Sequence, residues 1–390
     1  MKRLYFSLFA IILSVFFANA QFVQDVVNNI RLDSLERKVS ELSGETASSI
    51  NGMSFTIINR EYSVNDMAAE YIKDHFEALN NITINEQLFN AGAGIGTNVI
   101  ATQTGTLTPG NIYLICAHYD SVDDFCADDN TTGTSAVLEI ARILSQYETE
   151  NTIVYALWDQ EEIGLRGSNF YAEQASANGD NIVAVINMDM MGYQNQTSND
   201  NFFDIDLQDI GNSIQIKDDL LALQPTYAPN LNPIVVNPGT PFSDHKSFWD
   251  EDYGAVLVGE SWETNDQTPH YHMSSDRLST LDMPYYHEMV KLVAAYTATK
   301  ANIVRVLSSN ELKENEIRVF PNPVISDLHI EMKNPQDLEL EFYNIEGKLI
   351  QKNSLKSDVS IINVSNFTNG IYFIKVKSIQ GEKTFKFVKQ

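Results

Sequence analysis

The sequence predicts an α/β protein in which a mostly parallel, mixed central sheet is sandwiched by helices, followed by a small C-terminal antiparallel β-sandwich. Between residues 98 and 300, nearly continuous apolar runs alternate with segments of helical periodicity, which is the pattern of a sheet covered on both faces. After residue 310, short alternating runs are broken by Gly, Asn and Pro, which is typical of antiparallel strands.

The first segment, residues 1–20, is predicted to be a secretory signal peptide. A basic start and an apolar run precede the small-residue pattern ANA at 18–20. The apolar run is shorter than the about 20 residues that span a bilayer, so we expect cleavage and no membrane span. Residues 21–50 follow as a polar, helical N-terminal extension or propeptide.

The main domain is predicted to occupy residues 51–305. A charged linker at 306–317 separates it from the β-sandwich at 318–390. Apolar spacing predicts the elements of the main domain, which in chain order are a helix at 67–79, strands at 97–102 and 111–120, a helix at 135–144, a strand at 151–159, a helix at 168–177, strands at 182–190 and 254–261, and a helix at 289–300.

The charge is strongly negative and unevenly placed. The net charge is −26, and residues 318–390 contain 10 basic and 8 acidic side chains, which leaves 16 basic and 44 acidic side chains in the rest. Because phosphate binding needs Lys and Arg, the negative charge of residues 1–317 excludes nucleic acid as a partner. Cys116 and Cys126 are the two cysteines, and the sequence leaves open whether they form a disulfide.

Each strand in the centre of the predicted sheet ends in a histidine or a carboxylate, and active groups of open parallel sheets gather at this edge. Taken singly, each of these residues has an ordinary explanation as a core histidine, a helix cap or a solvated acid. Together they predict a metal site. The residues are His118, Asp120, Asp128, Asp129, Glu161, Glu162, Asp189, His270 and His272.

The donor set points to hydrolytic zinc chemistry. Histidine with Asp and Glu suits a borderline divalent ion such as zinc. About five ligands are more than one ion needs, and a carboxylate that bridges two ions is the arrangement of two-metal hydrolysis. Of the consecutive Glu161 and Glu162, one can face a metal ion while the other acts as a general base.

Six motifs resemble, in the same order, those of the secreted dinuclear zinc aminopeptidases of the aminopeptidase Y and bacterial leucyl aminopeptidase type. The resemblance covers residues 54–300 and implies the zinc exopeptidase fold. The motifs are HYDSV, DDNTTG, WDQEEIGLRGS, NMDMMG, SDH and HYHMSSD.

The resemblance implies two zinc ions per chain and a role for eight residues. In the roles it implies, His118 and Asp189 bind one ion, Glu162 and His272 bind the other, Asp129 bridges them, Glu161 is the general base, Asp120 orients the ligand His118, and Met190 lines a hydrophobic substrate pocket. It also implies a cis peptide bond between Asp129 and Asn130. The chain departs from the family pattern where Phe125-Cys126 replaces the more usual Pro-Gly.

The C-terminal segment resembles a sorting domain of the Por (type nine) secretion pathway, on the motifs VFPNPV (319–324), YNIEGKLI (343–350) and NGIYFIKV (369–376). The resemblance implies a secreted or cell-surface location and the secretion machinery as a partner. An accessory binding module of similar form is the alternative.

The resulting hypothesis is an aminopeptidase that releases N-terminal residues, with a preference for apolar ones, from peptide substrates. Glutaminyl cyclase, which shares the scaffold with a single zinc ion, and a carboxypeptidase or dipeptidase of the same clan are the alternative enzymes. A non-catalytic surface binding protein is the alternative from another class. The oligomeric state stays open.

Overall fold

The computed structural model describes residues 20–50, 53–195, 200–305, 317–332, 338–355, 359–378 and 381–390. The chain divides into two compact units, Met1–Arg305 and Val306–Gln390. The predicted signal peptide, apart from its last residue, and nearly all of the predicted linker lie outside the described residues. Among the helices that are described, none combines the length and the apolar character needed to cross a membrane.

The first unit contains several helices, and those at 66–77 and 133–144 carry apolar residues at helical spacing on the side that faces the core. The helices of the unit are α1 (20–28), α2 (Leu32–Leu42), α3 (Asp66–Glu77), α4 (Gly133–Leu144), α5 (Arg166–Asn178), α6 (Ser213–Tyr227), α7 (His245–Trp249) and α8 (Met283–Lys300).

The strands of the first unit are β1 (Ser48–Ile50), β2 (Met53–Phe55), β3 (Thr83–Asn90), β4 (Ile95–Gln103), β5 (Thr108–His118), β6 (Tyr147–Thr149), β7 (Asn151–Trp158), β8 (Ile182–Met188), β9 (Phe202–Leu207), β10 (Asn232–Val236), β11 (Ala255–Glu260) and β12 (Ile303–Arg305). Eight of them form one sheet in the order β10-β9-β11-β8-β5-β7-β4-β3.

The centre of this sheet is parallel and its margins are mixed. β11, β8, β5 and β7 run parallel to one another, whereas β9 pairs antiparallel with β11, and β4 pairs antiparallel with both β7 and β3. The four central strands therefore end at the same edge, as predicted. Parallel strands buried on both faces read as continuous apolar runs, which is why the sequence predicted them.

Apolar side chains alternate between the two faces of the sheet. On one face, Ile115 and Ala117 of β5 pack with α2, α3, α4, α6 and α8. On the other face, Leu114 and Cys116 pack with α5 and α7. The first unit is therefore a mixed sheet between two helical layers, and the predicted fold class is confirmed.

The predicted element boundaries need small corrections. The last helix begins at Met283 rather than at residue 289, because Asp282 accepts a hydrogen bond from the backbone N–H of Tyr285 and caps it. Residues 200–253 carry β9, α6, β10 and α7, which the sequence did not predict. The aspartates in FFDIDL interrupt the apolar run of β9, so the run did not read as a strand.

The second unit consists of two antiparallel sheets, β13-β14-β17 and β16-β15-β18-β19. Both sheets contribute to one apolar core, in which Leu328 and Ile330 meet Phe342, Ile374 and Phe387. This is the predicted small β-sandwich. Its strands are β13 (Ile317–Phe320), β14 (Asp327–Met332), β15 (Leu338–Asn344), β16 (Leu349–Leu355), β17 (Val359–Asn363), β18 (Gly370–Ser378) and β19 (Gly381–Lys389).

Candidate metal centre

His118 is the last residue of β5 and is buried, and Asp120 fixes the groups around it. The Asp120 carboxylate lies 3.5 Å from His118 Nδ1. Its two oxygens accept hydrogen bonds from the backbone N–H groups of Glu161 (3.1 Å) and Glu162 (3.2 Å), which follow β7. One buried carboxylate thus orients the histidine of one strand and the glutamate pair of the next.

Asp129 lies between the two predicted ligand histidines. Its Oδ1 is 3.3 Å from His118 Nε2, and its Oδ2 is 3.3 Å from His272 Nε2. The peptide bond from Asp129 to Asn130 is cis, as the resemblance implies. A carboxylate with one oxygen toward each histidine has the placement that a bridging ligand requires.

The remaining predicted ligands flank Asp129 on either side. Asp189 Oδ1, just after β8, lies 3.4 Å from His118 Nε2. Glu162 Oε2 lies 3.2 Å from His272 Nε2. The structure therefore brings all five predicted ligands together in two groups that share Asp129.

His270 lies outside these groups. Its Nδ1 is 2.9 Å from Ser275 Oγ. His272 instead has a left-handed backbone (φ 57°), and the Tyr271 ring stacks on its imidazole at 3.7 Å between centroids. This placement agrees with the expectation that His272, and not His270, is the ligand.

The hydrogen bonding and the charge of the cluster fit bound cations. Asp129 Oδ2, Glu162 Oε1 and Asp189 Oδ1 are buried and accept no hydrogen bond. Buried carboxylate oxygens without partners are costly unless a cation neutralises them. Hard and borderline divalent ions accept such carboxylate and imidazole donors, so the donor set suits zinc.

The pKa values in the cluster report the same crowding of negative charge. The carboxylates of Asp129 and Glu162, which lie 3.3 Å and 3.2 Å from His272 Nε2, raise the pKa of His272 to about 10. Burial opposes protonation of His118, but Asp189 and Glu161 outweigh it and raise its pKa well above the ordinary value. Burial and the nearby Asp129 raise the pKa of Glu162 to about 7. Without metal, the raised pKa values of His118, His272 and Glu162 favour bound protons that metal ions would displace.

Glu161 lies beside the cluster. A carboxylate oxygen of Glu161 and ligand atoms of His118 and Asp189 lie within 4.8 Å of one another. Burial, with Asp244, Asp189 and Glu162 nearby, raises the pKa of Glu161 well above its ordinary value, although His118 opposes this shift. A carboxyl group with a raised pKa next to the metal ligands is suited to exchanging a proton with water.

The loop before Asp129 is held by two residues to which the sequence assigned no such role. The buried Arg60 guanidinium donates to the backbone carbonyls of Phe125 (2.8 Å) and Cys126 (2.9 Å). Both of these residues have left-handed backbones, with φ 69° and 43°. Cys126 thus takes a conformation that favours the glycine usual at its position. Its thiol and that of Cys116 are unpaired in the structure.

The carboxylate of Asp276 holds the other side of the loop. It accepts the backbone N–H groups of Asp128 (2.9 Å) and Asp129 (3.0 Å). We expect Asp276→Ala to weaken zinc affinity by about 10–100-fold, the usual cost of losing a group that orients a ligand. Competition with a chromogenic chelator measures it. Asp276→Asn keeps an acceptor and should lose less, whereas equal affinity in both variants and in wild type would contradict the role.

Ser243, in the SDH motif, is a site residue that the sequence reasoning missed. Its Oγ donates a hydrogen bond to Asp189 Oδ2 (2.6 Å) and accepts one from Asn187 Nδ2 (2.7 Å). It therefore orients Asp189. The neighbouring Asp244 and His245 are buried. The proximity of SDH to Asp189 arises only from tertiary packing, although the motif itself was visible.

A cavity of about 610 Å³ opens onto the metal centre. Met190, the predicted pocket residue, lines it together with aromatic residues at its mouth. Eight carboxylate residues and no Lys or Arg are among the lining residues. The carboxylates are Asp129, Glu161, Glu162, Asp189, Asp204, Asp206, Glu260 and Glu263.

Comparison with known proteins identifies the families of both parts of the chain. Residues 98–297 match the model of peptidase family M28, and residues 318–390 match the secretion system C-terminal sorting domain. Aminopeptidase Y of Saccharomyces cerevisiae is 28% identical over 234 residues, which cover 57% of this chain and 42% of that protein. The chain spans less than a quarter of the length of the first curated relatives that it matches.

Two solved structures share the fold. The aminopeptidase LapA of Legionella pneumophila superposes with a TM-score of 0.62 at 20% identity, over 72% of this chain and 75% of LapA. A glutaminyl cyclase of Bacteroides thetaiotaomicron superposes with a TM-score of 0.52 at 18% identity, over 69% of this chain and 97% of the cyclase. The family model spans half of the chain and its range includes all five predicted ligands, so the chain belongs to peptidase family M28.

Proposed function

We propose that this protein is an exported metallo-aminopeptidase that hydrolyses the first peptide bond of peptides and uses two zinc ions. The observation that carries the proposal is the placement of Asp129, whose two oxygens each face a different histidine. Membership of a peptidase family and the likeness to aminopeptidase Y support the reaction class.

The residues that would hold zinc fall into two sets. His118 and Asp189 would hold one ion, Glu162 and His272 the other, and Asp129 both. Zinc bound there would polarise the scissile carbonyl and lower the pKa of water.

Glu161 is the residue that would transfer the proton of the attacking water. Its backbone N–H is fixed by Asp120, and its carboxylate adjoins the ligands without belonging to either proposed set. The carboxylate would accept a proton from the attacking water and later donate it to the nitrogen of the leaving amine.

The electrostatics of the cavity favour an aminopeptidase over a carboxypeptidase. A carboxypeptidase must bind the negative C-terminus of its substrate, which requires a cationic group. The cavity lining contains no Lys or Arg among the described residues. The protonated N-terminus of a peptide is instead attracted to the carboxylates that line it.

Glutaminyl cyclase is the second candidate, because a cyclase shares the fold. A cyclase with one zinc ion would not need a second ligand group. Here both groups are complete, with Asp129 between them. The same completeness supports an enzyme over a non-catalytic binding protein.

The C-terminal unit is proposed to direct export. Its match to a secretion sorting domain supports recognition by type nine secretion machinery and a secreted or cell-surface location. Its fold is a β-sandwich with its own core, and all five proposed ligands belong to the first unit.

Zinc content measured together with hydrolysis of aminoacyl-anilides tests the proposal. We expect two zinc ions per chain, cleavage of substrates with a free amine, and no cleavage of their N-acetylated counterparts. Chelation should abolish activity, and added zinc should restore it. One zinc ion with conversion of N-terminal Gln to pyroglutamate would favour the cyclase, and an inactive zinc-loaded protein would refute both enzymes.

A further inference from the structure

One wall of the cavity is built by the antiparallel pair β9 and β11. Gly259 pairs with Asp204, and Leu257 pairs with Asp206. All four residues line the cavity, whereas the alternate residues Phe203 and Ile205 belong to the apolar core on the opposite face. The pleat of β9 therefore directs two carboxylates, two residues apart, toward the substrate cavity.

The carboxylates of Asp204 and Asp206 differ in their hydrogen bonding. Asp204 is fully engaged, because its oxygens accept hydrogen bonds from Ser261 Oγ (2.6 Å), from Trp262 N (2.8 Å) and from Glu263 N (3.0 Å). It holds the loop that leads from β11 toward His272.

Asp206 has a free oxygen. Its Oδ1 accepts a hydrogen bond from the backbone N–H of Thr240 (2.8 Å), whereas Oδ2 has no hydrogen-bond partner among the described residues. The residue is 6% exposed. A carboxylate buried to this degree, with one oxygen unpaired and on a cavity wall, is in the environment that binds a cationic group.

The negative charge around Asp206 further favours the binding of a cationic group there. Burial raises the pKa of Asp206 to about 6, and the nearby Asp204 and Glu263 add to the shift. Two zinc ions would neutralise their own ligands. They would leave the carboxylates on the β9 wall without a counter-charge, since none of the described residues that line the cavity is Lys or Arg.

The approach to Asp206 is apolar. Leu257 and Val236 line the cavity beside it, and Trp262 packs edge-on against Tyr271, which stacks on His272. Long basic side chains bury their aliphatic stems along such surfaces and keep the charged end on a polar partner. β9 lies two strand spacings, about 10 Å, from β8, whose end carries Asp189. This distance between Asp189 and the strand that carries Asp206 favours a substrate with a long side chain.

We propose that Asp206, assisted by Glu263, forms the base of the pocket for the side chain of the substrate's N-terminal residue and selects lysine or arginine there. The inference rests on the proposed aminopeptidase function and names its substrate class. It departs from the apolar preference expected from Met190, which lines the same cavity but carries no charge.

Paired substrates with and without a charge test the inference. Lysyl-anilide and norleucyl-anilide share the aliphatic stem and differ in the ammonium group. We expect the zinc-loaded wild type to prefer lysyl-anilide in kcat/KM by about 10–100-fold, the range of a charge-assisted hydrogen bond. Asp206→Asn keeps the acceptor for Thr240 N and should reduce this ratio by tenfold or more. The matched control Asp209→Asn removes an exposed carboxylate just beyond β9 that does not line the cavity and should keep the ratio.

The outcomes separate the inference from the proposed function. A ratio near one in wild type, with norleucyl-anilide cleaved, overturns the inference and leaves the aminopeptidase in place. If neither anilide is cleaved by zinc-loaded protein, the proposed function and the inference both fail. Loss of a zinc ion in Asp206→Asn would assign this carboxylate to metal binding and overturn its role in selectivity. If Asp206→Asn does not fold, Glu263→Gln replaces it, because Glu263 is exposed and its carboxylate accepts no hydrogen bond from the described residues. An unchanged ratio there removes Glu263 from the pocket.

Discussion

Glu161→Gln is expected to lower kcat/KM by about 10²–10⁴-fold, the usual contribution of a general base, while the zinc content stays unchanged. The amide has nearly the same shape as the carboxylate but cannot take a proton from water. The backbone N–H of residue 161 still donates to Asp120, so the fold around the site is preserved. Steady-state kinetics and metal analysis on the same sample measure both quantities.

The neighbouring Glu162→Gln is the matched control. Glu162 Oε2 faces His272, and its other oxygen is buried without a partner, so its loss should remove metal as well as activity. Glu161, His118 and Asp189 also lie close enough to share an ion. If they did, Glu161 would be the ligand and Glu162 the base, and the expected results for the two variants would be reversed. Zinc lost from Glu161→Gln and kept in Glu162→Gln would contradict the proposed assignment.

Glu139→Leu is expected to lower the free energy of unfolding by about 3–5 kcal/mol, because it removes one partner of a buried ion pair. Lys38 Nζ lies 2.9 Å from Glu139 Oε2, and both side chains are almost fully buried. Glu139 also accepts hydrogen bonds from Ser34 Oγ (2.8 Å) and from Arg142 Nη2 (2.6 Å). Denaturant unfolding measures the loss.

The pH dependence of this contribution follows from the pKa shifts of Lys38 and Glu139, both of which are downward. Burial outweighs the ion pair for Lys38 and lowers its pKa. For Glu139, burial is outweighed by Lys38 and Arg142 together, and its pKa is lowered. Two cations share this carboxylate, so it stays ionised. Its stabilisation is present above the ordinary glutamate pKa of about 4.5 and is lost as the pH falls further.

A control for this prediction is Asp33→Asn, which breaks the exposed pair with Arg31. Exposed pairs contribute at most about 1 kcal/mol, so its effect should be small. If Glu139→Leu cost no more than Asp33→Asn, the buried pair would not hold α2 on the domain.

The same contacts bear on the predicted extension or propeptide at 21–50. Lys38 joins α2 to α4, and Val26, Leu35 and Val39 of α1 and α2 are part of the main apolar core. Removing these helices would expose that core. We infer that the segment is an integral part of the first unit, whose loss destabilises the protein.

The sequence by itself determined the family, the layered α/β fold and the strand ends at which the proposed metal ligands lie. Apolar periodicity is a local property, and the ligand motifs follow strands whose parallel order places them at one edge. For these reasons His118, Asp189 and the glutamate pair could be selected from the residue string, and the M28 match confirmed the family.

Only the tertiary structure decided which groups support and complete the site. Ser243 reaches Asp189 across 54 residues of chain, and Asp276 reaches the bridging loop across 147. Asp206 joins the cavity because β9 pairs antiparallel with β11, and that pairing directs its carboxylate inward. No local pattern encodes such contacts, because the direction of a strand's side chains depends on its register with a neighbour chosen by packing. The carboxylates on the β9 wall of the cavity, and with them the inferred selectivity, therefore became visible only in the tertiary structure and not in a sequence motif.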